Sequence, residues 1–185
     1  GFVQDPVHLK VEQDLGAFGL QPLSYTESGY LGFATAQSPG AAVNLAPEAA
    51  AQEAEALVQA ILPSLGPNLQ LQPSFQHDSE GLTTIMFQQY SQGLEVVDGH
   101  VLVAMRAGRV QLLRNDTVTY GGVTIPEVSK EEAAELAFTQ ARRHADDASL
   151  VSSPELVIWA GGDEVRLAYR VRAQAFYPRA ELSIY

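Results

Sequence analysis

Hydrophobic positions recur along the chain with two different periods, and the changes of period mark out its elements. Ala50, Ala54, Leu57, Val58 and Ile61 fall at helical spacing, which predicts an amphipathic helix over 46–62. Pro47 suits its first turn, where a missing N–H costs nothing, and Pro63 with Gly66-Pro67 is expected to end it. A second stripe of Ala133, Leu136, Ala137 and Ala141 opens on Ser129-Lys130-Glu131-Glu132. Those four residues spell a capping box, in which the serine hydroxyl accepts from the amide three residues on while Glu132 reaches back. Phe138 is expected to widen the buried stripe. Arg142, Arg143 and His144 occupy the last turn, where cations favour the negative end of a helix.

The remaining hydrophobic runs alternate with period two. Gly81–Tyr90 and Leu94–Met105 read as strands, with a turn at His77-Asp78-Ser79-Glu80-Gly81 before the first and a bend or interruption at Asp98-Gly99 in the second. Arg106-Ala107-Gly108-Arg109 is a hairpin turn and Val110–Arg114 the returning strand, so an antiparallel meander follows the first helix. Leu156–Ala160 and Val165–Ala175, joined by Gly161-Gly162-Asp163-Glu164, predict a further hairpin. Its second arm sets Val165, Leu167, Tyr169, Val171 and Ala173 against Arg166, Ala168, Arg170 and Arg172, one buried face and one polar. Leu182-Ser183-Ile184-Tyr185 begins another alternating strand, and a strand stopping there suggests a piece of something longer. The first 45 residues are less regular. His8–Glu12 alternates like a short strand, Tyr25, Tyr30, Leu31 and Phe33 are apolar anchors, and Gly40-Ala41-Ala42 leads into the first helix. The expected class is α+β: two helix-plus-antiparallel-sheet units in tandem, over 1–120 and 121–185, meeting near Gly121-Gly122.

Composition narrows the function. The 185 residues include no Cys, which excludes a disulfide scaffold, a thiolate nucleophile and every metal site built on cysteine. No run reaches the roughly 18 apolar residues of a membrane span. Gly1-Phe2-Val3-Gln4-Asp5 lacks the basic start and apolar run of a signal peptide, so the chain is expected to be cytoplasmic or to begin after a removed leader. The net charge is −11, and after Lys10 the next cation is Arg106, while carboxylates recur throughout that span. A half without cations cannot neutralise phosphates, so nucleic acid is a poor partner for it and none is expected. From Arg106 onward acids and bases are nearly balanced.

Motifs for catalysis are missing: no H-E-x-x-H, G-x-S-x-G, P-loop or G-x-G-x-x-G after a strand. His8, His77, His100 and His144 are scattered, and none pairs with another at helical spacing. His144-Ala145-Asp146-Asp147 is read as a solvated helix end rather than a metal site, and Asp163 and Glu164 lack calcium-loop spacing. No catalytic residue, metal ligand or cofactor is expected. The arginine row Arg166, Arg170, Arg172 has two readings. One is an exposed sheet face balanced by nearby carboxylates; the other is a contact surface for an acidic partner, since Arg is enriched at interfaces.

Several of these segments resemble known families. Phe87-Gln88-Gln89-Tyr90-Ser91-Gln92-Gly93-Leu94-Glu95-Val96-Val97-Asp98-Gly99-His100-Val101 resembles the core of the fungalysin/thermolysin propeptide (FTP) motif, with Glu95 where that family usually has Pro and Met86 where it often has Arg. Val103–Val110 looks like the family's next hairpin. Val128–Ala137 is similar to the capped, alanine-rich helix of a PepSY domain, and Leu156-Val157-Ile158 and Leu167-Ala168-Tyr169-Arg170-Val171 to its strands. Glu181–Tyr185 looks like the start of its last strand. The resemblance spans roughly 46–185 and implies two cystatin-like units forming the non-catalytic pro-region of a secreted, thermolysin-like zinc metalloprotease. Such a pro-region acts as inhibitor and intramolecular chaperone of its cognate catalytic domain, carries no zinc ligands of its own, and works outside the cytoplasm, secreted or periplasmic. The candidate partner-binding residues are Arg166, Arg170 and Arg172 of the arginine row, with Glu181 and Ser183 of the last strand. A free-standing secreted or periplasmic FTP/PepSY-type binding module is the alternative, and an enzyme of unfamiliar type in a cystatin-like cleft a third.

Overall fold

Val11 and Leu15 lie one helical turn apart and are almost fully buried, and that pair decides the structure of the N-terminal segment. In the computed structural model, which describes residues 6–37, 46–122, 125–161, 165–176 and 179–185, Pro6–Gly16 is a helix, α1. The strand expected at His8–Glu12 is therefore corrected. Its five-residue alternation is one turn of a helical face, reinforced by the Lys10–Asp14 ion pair at i, i+4. The expected lead-in at Gly40-Ala41-Ala42, the opening Gly1–Asp5 and the turn residues Gly162, Asp163 and Glu164 lie outside the described residues.

The chain divides into two units, Gly1–Tyr90 with Asp98–Thr119 and Ser91–Val97 with Tyr120–Tyr185. In the first, β1 (Leu20–Tyr25) and β2 (Leu31–Ala36) form a hairpin where only apolar anchors were expected. The first predicted helix is α2 (Pro47–Leu65), and Pro63 lies inside it rather than ending it. Proline removes one helical hydrogen bond, but the last turn is held from outside. Buried Leu65 packs in the core, and its carbonyl accepts from Asn115 Nδ2 at 2.8 Å and Thr117 Oγ1 at 3.3 Å.

The meander, expected to hold three or more strands, begins one strand ahead of the three runs named from sequence. β3 (Gln70–Ser79) takes in His77 and Asp78, so the turn narrows to Glu80-Gly81. β4 (Leu82–Ser91), β5 (Leu94–Arg106) and β6 (Arg109–Asn115) follow. Glu80-Gly81, Gln92-Gly93 and Ala107-Gly108 all have two successive positive φ values, the geometry of the two-residue turns that match strand twist. The order is β1-β2-β6-β5, with β4 also paired to β5 and β3 to β4. Val11, Leu15, Leu57, Val58 and Ile61 of the helices meet Leu20, Phe87, Val103 and Leu113 of the sheet in one core. Two buried polar side chains there are satisfied: Gln89 donates to and accepts from the backbone of Val118, and Asn115 Nδ2 also donates to Leu31 O at 2.7 Å.

In the second unit α3 (Lys130–His144) is capped as expected, Ser129 Oγ accepting from Glu132 N at 3.1 Å. The strands are β7 (Ser149–Leu150), β8 (Glu155–Trp159), β9 (Arg166–Phe176) and β10 (Arg179–Ile184). β9 pairs antiparallel with β7, β8 and β10, while Val96 and Val97 of β5 pair parallel with Ile158 and Trp159. Ala141, Ala148, Ala173 and Ala175 form the core. Leu136 and Phe138 are 59% and 41% exposed, against the buried stripe expected of them. The buried face of α3 is the alanine line 133, 137, 141, because small side chains let the helix lie close on β9 and turn its larger residues outward. The α+β class holds, with a mostly antiparallel sheet.

Candidate interaction surface in the second unit

Residues directly opposite in antiparallel strands share a face, so the register of β8, β9 and β10 determines which side chains meet. Glu155 faces Arg170, Trp159 faces Arg166, Ser183 faces Arg172 and Glu181 faces Gln174. The three arginines thus share one face but not one environment. The Arg166 guanidinium lies 4.6 Å over the Trp159 ring, and that ring stacks at 6.4 Å with Tyr185. Arg170, only 13% exposed, makes a two-pronged pair with Glu95 at 2.7 and 2.8 Å and a further bond to Glu155 at 2.8 Å. Arg172 is exposed, and its backbone N–H donates to Ser152 Oγ at 3.0 Å.

Of the residues singled out from sequence, Arg172 and Ser183 are neighbours, and Glu181 lies one step along the same face. Arg170 faces inward upon two carboxylates. Hydrogen bonding to Glu95, the largest cause, outweighs the effect of burial and raises its pKa, so the guanidinium stays charged. Glu95, Glu155, Trp159 and Tyr185 were not anticipated as part of this face. One signal was available for Glu95: a carboxylate stands where the resembling family has proline, and the structure supplies its cation.

The other face carries a groove. Leu167, Tyr169, Val171, Leu182 and Ile184 floor it, and Ala133, Leu136 and Ala137 of α3 wall it, enclosing about 850 Å³. Glu127 and Arg166 line it with Arg143 and His144 of the last turn of α3.

The histidines have separate settings. His8 stacks on Tyr25 at 4.0 Å, and His77 lies beside Phe75. His100 Nδ1 is 3.1 Å from the Asp98 carbonyl and Nε2 is 3.3 Å from Asp116, which also accepts from Arg114. Among the described residues no three His, Asp or Glu side chains are grouped to hold a metal, and no helix is long and apolar enough to cross a membrane.

No protein-family model matches the chain, and no curated protein sequence matches it. Among solved structures it is similar to the Bacillus megaterium YpeB C-terminal domain, with 13% identity and a TM-score of 0.51 over 92% of this chain and 87% of that one. At that identity the likeness is one of fold, and the helix-on-sheet architecture is consistent with a PepSY-like fold.

Proposed function

We propose that this chain is a non-catalytic binding protein of the pro-region type, which holds the catalytic domain of a secreted or periplasmic, thermolysin-like zinc metalloprotease as inhibitor and folding template. The observation that carries the reading is the order of the resembling segments. The FTP-like segment forms the β4–β5 hairpin, and the PepSY-like segments form α3, β8 and β9 in sequence. The second unit offers what such a task needs. Arg172, Ser183 and Glu181 form a polar sheet face for complementary contact, and binding the folded protease alone stabilises it by mass action. The tandem division expected at 1–120 and 121–185 belongs to the same proposal.

A free-standing PepSY-type module is the second reading, favoured by the likeness to a chain described as a C-terminal domain, since a pro-region precedes its protease. Adding the purified chain to a panel of thermolysin-like proteases separates the two. Micromolar or tighter inhibition of at least one member, weakened about tenfold by R172E, is expected of a pro-region. If no protease is inhibited and none refolds in higher yield, the second reading stands instead.

A further inference from the structure

β10 is the last strand of its sheet, and no described strand pairs along its outer side. Its backbone donors and acceptors on that side form a template for strand addition. Leu182 and Ile184 of the same strand floor the groove beneath α3, with Ser183 at its lining, while Ser183 and Glu181 are the alternate positions that pair in register with Arg172 and Gln174. We propose that this edge binds an extended peptide segment of alternating apolar and acidic residues, laid along β10 as an added strand. The proposal rests on the reading of the chain as a binding protein and names the chemistry of what it binds.

Geometry sets the alternation. In an added strand every second side chain lies on the Leu182/Ile184 face, where the half-open space beside Leu136 is large enough to take branched apolar groups. Side chains between them lie on the Arg172 face. There, two strand spacings separate backbone from backbone by about 10 Å, within reach of an Arg–Glu pair. On that outer face the exposed cation is Arg172, paired in register with Ser183, and it selects an acidic side chain; Glu181 lies one step along β10. β10 spans six residues, so a segment of about that length covers it.

The test uses the whole chain and a blocked peptide of about seven alternating Glu and Ile residues, followed by calorimetry and by the fluorescence of Trp159, the single tryptophan. Micromolar binding is expected, lost when alternate backbone amides of the peptide are N-methylated and weakened at least tenfold when Lys replaces Glu. Ile184→Lys is expected to abolish binding. Leu136→Glu, at an exposed helix position that leaves the fold intact by circular dichroism, is expected to do the same. No binding at millimolar peptide, equal binding of the Lys peptide, or a dimer in solution that L136E converts to monomer overturns the proposal. A chain that inhibits a protease yet ignores the peptide overturns the groove alone; one that binds the peptide and inhibits nothing removes the pro-region reading alone.

Discussion

Asn115 shows how much a single residue carries. Its amide donates to two buried carbonyls, Leu31 O in the β2 strand and Leu65 O at the end of α2, and its own oxygen accepts from Thr117 N. Asn115→Ala leaves the Leu31 carbonyl without that donor and Leu65 with Thr117 alone. A loss of about 2 kcal/mol is expected in urea unfolding, and a change under about 0.5 would refute the role. Tyr25 is the opposite case: its hydroxyl is buried with no hydrogen-bond partner among the described residues. Burial first, then the charge of Glu12, raises its pKa. The folded state therefore keeps its proton to higher pH than the unfolded chain. The associated stability is present below the ordinary phenol range and is lost as pH rises through the raised value. Tyr25→Phe is expected to be neutral or stabilising at pH 7 and to show a shallower alkaline loss, measured by thermal unfolding near about pH 10. Neither residue carried a sequence signal, because an Asn at a strand end and a Tyr in a hairpin look the same whether or not a partner is near.

At the level of elements, the segment Ser91–Val97 joins the second unit through two parallel register pairs and through Glu95. Arg170 closes Glu95 and Glu155 into one cluster linking β5, β8 and β9. Removing the cation leaves two carboxylates facing each other. Arg170→Met is expected to cost about 2–3 kcal/mol, less than the 3–5 of a fully buried pair because Glu155 is 58% exposed. Hydrogen exchange should quicken at 91–97 and 155–159 while the amides around Asn115 keep their protection; uniform quickening throughout would speak against a local clasp. The raised pKa of Arg170 keeps the guanidinium charged through the ordinary guanidinium range, so on the alkaline side the contribution is lost only as pH rises through the raised value. Long periodic elements such as α2 and α3 were legible because their stripes span several turns. The short ones were not: five residues of α1 satisfy both periods, and β3, exposed along most of its length, has no alternating burial to read.

For the whole molecule the long cation-free span is the dominant electrostatic feature. The chain is expected to pass unretained through a double-stranded DNA column at about 0.05 M salt, where any patch neutralising several phosphates would hold it. Retention released by salt would reverse the expectation that nucleic acid is no partner.

Period, capping and turn chemistry are local, so the sequence alone determined the α+β class, both main helices, the β4–β5–β6 meander and the β8–β9 hairpin. Pairing across long separations is not local. That Arg170 meets Glu95, that Asn115 grips α2, and that α3 lies on its alanines and leaves Leu136 outside were decided by the tertiary structure. Each depends on which distant backbone or charge arrives at hydrogen-bond distance, and a linear pattern of polar and apolar residues holds no record of that distance.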